Sequence, residues 1–257
     1  MIFGALYCGT AAWWGDNRAV RIAVTAVVLA TVVSIPSAQR PPAGPTQPAF
    51  SVVEATIHQM REAMAQGRTT SKAIVQQSLD RIAQFEGRLN AVITINPRAL
   101  ADADALDRER RRGVVRGPLH GIPVALKDNI HTTNMPTTGG AQAFARLVPP
   151  YEATLTTRLT QAGAVIIAKT VLTELANWVA VGMPTNYSSL AGFGFNPYDP
   201  RPDPRQGLSD GRPVLATGGS SSGIGTAASF WAANVGTETS GSILLPCGGE
   251  DKGRDGQ

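Results

Sequence analysis

Cysteine and histidine are close to absent, with two of the first and three of the second in 257 residues. Cys8 and Cys247 stand near opposite ends and show no Cys/His metal spacing, so neither a zinc site nor a disulfide framework is expected. No Walker loop and no G-x-G-x-x-G fingerprint occurs. Charge is sparse at 16%, against 43% hydrophobic residues, which excludes a disordered chain and fits a globular one. The formal net charge is +4, and much of the positive charge gathers in residues 107–116. That segment reads as a solvated helix end rather than a nucleic-acid surface, and no nucleic-acid partner is expected.

The apolar stretch at residues 22–35 is shorter than the about 20 residues needed to span a bilayer as a helix. It follows Arg18 and Arg21 and leads into Pro36-Ser37-Ala38, the pattern of a secretory signal with an imperfect cleavage site. Residues 1–38 are therefore read as a leader, a signal peptide or a signal-anchor, which places the chain in the secretory pathway. A membrane is a partner only if the leader stays as an anchor, and a misplaced start would make the chain cytoplasmic. Residues 39–49 are a proline-rich linker. The folded domain is expected over residues 50–247, followed by a polar, glycine-rich, disordered tail at 248–257.

Within the domain, Ser51 and Glu54 fit a capping box that would open a helix carrying Val53, Ile57 and Met60 on one face. A second helix is expected over residues 71–85, with Gly67 and Gly87 as terminators of the two. Residues 90–95 read as a strand, 98–111 as a helix, 153–162 as a helix, 164–168 as a buried strand, and 172–179 as a helix. Such alternation predicts an α/β fold, a mixed sheet flanked by helices. Residues 187–212, rich in Pro, Gly and Asp, are expected to loop across the mouth of a site. Asn186-Tyr187-Ser188 is a glycosylation sequon, meaningful only in a secreted chain.

Two features carry chemistry. Residues 218–246 hold two serine-bearing, glycine-flanked turns, Gly-Gly-Ser-Ser-Ser-Gly and Gly-Thr-Glu-Thr-Ser-Gly-Ser. A serine in such a turn becomes a nucleophile if a base is supplied. Lys127 ends the apolar strand Val124-Ala125-Leu126, and a lysine held in a buried site loses its charge more readily and can act as a general base. Residues 219–223 also fit the G-x-S-x-G elbow with Ser221 as nucleophile, but that fold places its histidine after the serine. His58, His120 and His131 all precede it.

The segments Gly-Ile-Pro-Val-Ala-Leu-Lys-Asp, Gly-Gly-Ser-Ser-Ser-Gly and Gly-Thr-Glu-Thr-Ser-Gly-Ser-Ile occur in the order seen in the amidase signature family. Tyr-Glu-Ala-Thr-Leu-Thr-Thr-Arg-Leu from Tyr151, the run from Ala162 to Thr170 and Leu-Thr-Glu-Leu-Ala from Leu172 also resemble it. The resemblance covers about residues 50–246. It implies a Ser-cisSer-Lys triad with Ser242 as nucleophile, Ser220 as bridging serine and Lys127 as base. It further implies an oxyanion hole from the main-chain N–H groups of Thr239, Ser240, Gly241 and Ser242, with Ser220 beside the bound substrate. The activity implied is hydrolysis of a small-molecule carboxamide through an acyl-enzyme, without metal or cofactor. Three features depart from the family, one of them Ser240, which stands where the family often has glycine or aspartate. The interval from Ser220 to Ser242 is shorter than usual, and the family continues well beyond the nucleophile motif. A partial amidase-signature fold with exposed strand edges near Lys127 and Ile243, and a truncated, inactive remnant or an incomplete gene product as the alternative function, are the corresponding expectations.

Overall fold

A computed structural model of the chain describes residues 49–179, 182–205, 210–219, 222–238 and 241–244. The leader at 1–38, nearly all of the linker, Ser220, Thr239, Ser240 and the tail at 248–257 lie outside the described residues. In chain order the elements are α1 (Ile57–Ala65), α2 (Ser71–Leu89), β1 (Val92–Ile95), α3 (Ala99–Arg111), β2 (Pro123–Lys127), α4 (Thr154–Gln161), β3 (Val165–Thr170), β4 (Tyr187–Ser188), β5 (Gly192–Phe193), α5 (Ser222–Ala227) and β6 (Ala233–Val235).

β1, β3, β2 and β6 form one mixed sheet in that order, β1 antiparallel to β3 and the other pairs parallel. β2 and β3 are buried at every residue, which is why both read as unbroken apolar runs rather than alternating ones. One face packs Ala125, Val165, Ile167 and Ala168 against Val75 and Ile82 of α2, Ala103 and Leu106 of α3, and Ile224, Phe230 and Trp231. Val124 packs with Met60, Met64 and Ile74 in a second cluster, and Leu126 and Ile166 pack with Ile130 and Met135 in a third. The fold is thus an α/β one, a mixed sheet with helices packed against it.

A bulge sets where two lysines go. Val124 pairs with Ile166, but the next residue, Ala125, pairs with Ala168, so β3 carries one extra residue. Ile167 and Ala168 then join the same cluster in succession, and Lys169 pairs with Leu126 instead of following Ile167. Because side chains alternate along a strand, this one-residue shift sends Lys169 to the opposite face from Lys127.

Several expectations shift. α1 opens at Thr56, whose hydroxyl accepts from the Gln59 N–H while the Gln59 carboxamide accepts from the Thr56 N–H. Ser51 and Glu54 lie before it, and Glu54 adopts φ 55°. α2 runs through Gly87 and ends at Asn90, which takes the left-handed conformation that stops a helix. The segment at 107–116 is not wholly solvated, since Asp107 is buried and accepts the N–H groups of Ser71 (2.8 Å) and Lys72 (2.9 Å), anchoring the start of α2. Residues 172–179 form no α-helix. They make a short 3₁₀ turn, Glu174–Asn177, in which Leu175, Ala176 and Asn177 all have positive φ. Finally, the strand holding Lys127 has a neighbour on both sides, so it exposes no edge.

Candidate active site

Lys127 ends β2 with its side chain fully buried. Its Nζ donates to the Thr237 carbonyl at 2.9 Å, and Asn129 donates to the Thr237 hydroxyl at 2.9 Å. Thr237 lies two residues past β6, so these bonds tie the chain leaving β6 to the end of its neighbour β2. Burial holds the Lys127 amine below the usual lysine range, and the charge of Glu238 partly opposes this. Among the described residues no carboxylate comes within ion-pair distance of Lys127.

Ser242 is nearly buried. Its hydroxyl lies against Gly219, where an added Cβ would meet Ser242 Oγ at 2.7 Å and Ser242 Cα at 3.2 Å. Only glycine allows that approach. Gly218, at φ 69°, turns the chain immediately before it. The two serine-bearing turns that stand apart in sequence therefore meet, with Ser242 against the glycine that precedes Ser220 in the chain. Thr239 and Ser240, expected as oxyanion donors, lie outside the described residues.

Glu238 is a site residue that the sequence motifs do not single out. Its carboxylate accepts four consecutive main-chain N–H groups, those of Gly241 and Ser242 (3.2 Å) on Oε1, and Ile243 (2.5 Å) and Leu244 (3.0 Å) on Oε2. These bonds, led by Ile243 and Leu244, hold the Glu238 carboxyl below its ordinary range. Consecutive N–H groups of this kind form an anion-binding concavity, here filled by the chain's own side chain. Two of the four expected oxyanion donors, Gly241 and Ser242, are thus engaged by Glu238. An acid inside the second glycine-flanked, serine-bearing turn, four residues before Ser242, was the available signal.

A second buried lysine was also missed. Lys169 Nζ lies 3.1 Å from Asp128 Oδ1 and donates to the Thr137 hydroxyl (2.9 Å) and the Pro136 carbonyl (3.1 Å). Asp128 also accepts the Thr138 N–H at 3.0 Å and the Thr138 hydroxyl, and its carbonyl accepts the Gly139 N–H at 3.1 Å. Burial lowers the Lys169 pKa while the adjoining Asp128 opposes the change. The anomaly visible at Lys127, a lysine at the end of an apolar run, was equally visible here.

The Amidase family profile matches residues 73–249 of this chain. A probable amidase of Arabidopsis thaliana is 38% identical over 200 residues, covering 77% of this chain and 37% of the relative. A glutamyl-tRNA(Gln) amidotransferase subunit of Alkaliphilus metalliredigens is 37% identical over 200 residues, with coverages of 77% and 37%. Among solved structures, the native peptide amidase of Stenotrophomonas maltophilia superposes with TM-score 0.67 at 39% identity, covering 75% of this chain and 38% of that one. The chain thus spans roughly a third of the length of the curated relatives it matches, 32% and 37% in two of them. With the family profile covering most of the chain, the chain belongs to the amidase family.

Proposed function

We propose that the chain carries the nucleophile end of an amidase site acting through Ser242, Ser220 and Lys127. The observation that carries this reading is the Ser242 hydroxyl packed on Gly219, the residue preceding Ser220. In this reading neutral Lys127 accepts the proton of Ser220 as Ser220 accepts that of Ser242, and Ser242 Oγ attacks the amide carbonyl carbon. The tetrahedral intermediate collapses as the C–N bond breaks and the proton returns to the departing nitrogen. Water, deprotonated by the same relay, then cleaves the acyl-enzyme. The substrate class is a non-peptide or peptide-terminal carboxamide, and residues 1–38 would direct the chain to the secretory pathway. Thr239, Ser240, Gly241 and Ser242 supply the oxyanion N–H groups, so Glu238 must release the last two before they can serve.

That same contact favours a second reading, an inactive amidase relative whose oxyanion donors are permanently self-occupied. Labelling with a serine-reactive fluorophosphonate separates the two. The catalytic reading requires label that disappears in Ser242→Ala. Folded protein that takes up no Ser242-dependent label refutes it.

A further inference from the structure

We propose that Asn186 is a positioning residue for the nucleophile, acting through Thr217 and the Gly218–Gly219 turn. The inference rests on the reading of Ser242 as nucleophile. Asn186 is fully buried and sits at φ 58°, a left-handed conformation that asparagine tolerates better than most residues. Its side-chain Nδ2 donates to the Thr217 hydroxyl at 2.8 Å, and its backbone N–H donates to the Thr173 hydroxyl at 2.7 Å. Thr217 is the residue before Gly218, and the Thr173 N–H donates to the Gly219 carbonyl at 3.3 Å. Two buried threonines thus grip the turn from either end, and both are bonded to the same asparagine.

The far side of that turn is the Ser242 hydroxyl, with no room for even a methyl group between them. Movement of Gly219 is therefore passed directly to Ser242. The bracket continues toward the base, because Leu175 N–H donates to the Gly139 carbonyl (2.7 Å) and Leu190 N–H to the Gly140 carbonyl (3.1 Å). Gly139 is in turn bonded to Asp128, the neighbour of Lys127. Asn186 stands where the two arms of this bracket meet. The same amide nitrogen is the one a glycan would occupy in the Asn186-Tyr187-Ser188 sequon. Its burial and its bond to Thr217 mean that the folded chain carries no glycan there.

The experiment uses the full chain with Thr217→Val, Thr217→Ser and Asn186→Ala, read by fluorophosphonate labelling rate and by hydrogen–deuterium exchange. Thr217→Val keeps the shape and removes the acceptor, so labelling should slow by about tenfold, the effect of one lost buried hydrogen bond. Exchange at 217–219 should quicken while 165–170 stays protected. Thr217→Ser keeps the hydroxyl and should restore both readouts. Where Asn186→Ala folds, adding Thr217→Val to it should slow labelling no further. Unchanged exchange at 217–219 in Thr217→Val overturns the proposal, and so does unchanged labelling. A wild-type chain without Ser242-dependent label refutes the catalytic reading instead, and the exchange pattern still decides whether Asn186 holds the turn.

Discussion

Lys127 and Lys169 share a residue type, complete burial and a place near the end of adjacent parallel strands. They differ in company. Lys169 has Asp128 at 3.1 Å and two further oxygen acceptors, so its charge is compensated where it sits. Among the described residues Lys127 donates to one carbonyl, that of Thr237, and the carboxylate acting on it is the longer-range charge of Glu238. Burial pulls both amines down, and among the described residues a contact carboxylate, Asp128, holds the proton on for Lys169 but not for Lys127. The bulge at Ile167 creates this division, since without it both amines would share one face and repel each other. A lysine's depth in the sheet therefore says little about its role. What it faces decides between a structural ion pair and a base.

The sharpest break of the comparison is to remove each amine in turn. Lys127→Met should lower amide turnover or Ser242 labelling by about 10²–10⁴-fold, the usual worth of a general base, with little loss of stability. Denaturant titration beside labelling checks both halves of that statement. Asp128→Asn should do the reverse and destabilise by about 3–5 kcal/mol, because it leaves the Lys169 ammonium buried without a counter-charge. Asp128→Leu with Lys169→Met should recover part of that loss. If Lys127→Met unfolds the chain and Asp128→Asn does not, the two roles are exchanged.

How far these roles could be read from sequence depends on whether a residue's partner is local. β2 and β3 were legible because strands buried on both faces leave unbroken aliphatic runs, and the burial of Lys127 because it closes one of them. The bulge that redirects Lys169 left no mark in its own strand. It is visible only in the pairing with β2. The start of α1 was misplaced because Ser51/Glu54 and Thr56/Gln59 satisfy the same capping pattern. Tertiary bonds settled it, with Gln77 of α2 accepting the Val52 N–H and donating to the Phe50 carbonyl, which holds 50–52 outside the helix. Residues 172–179 have helical composition, yet the N–H groups of Thr173 and Leu175 are spent on Gly219 and Gly139. Those two glycines are distant in sequence, so nothing local announced the left-handed turn.

Gly219→Ala probes the contact that joins the two serine turns. A methyl 2.7 Å from Ser242 Oγ forces one turn away from the other, at about 1–3 kcal/mol for an overpacked site. Labelling should fall more than stability, since the displaced atom is the nucleophile itself. Equal labelling rates in Gly219→Ala and wild type would mean that this contact does not set the position of Ser242.

The smallest expected effect is the most specific to Lys127. Labelling should rise with pH as the amine loses its proton, with a midpoint below the 10.5 of an ordinary lysine. The stability consequence has a definite sign. A lysine whose folded pKa is depressed leaves the unfolded chain binding more protons between the two pKa values, so stability increases with pH across that window. Glu238→Gln removes a charge that raises the Lys127 pKa, so the labelling midpoint should move to lower pH. Lys169, whose counter-charge is Asp128, should not contribute to that shift, and Glu238→Gln in an Asp128→Asn background should move the midpoint by the same amount. A midpoint that ignores Glu238 would mean that the titrating group is not Lys127.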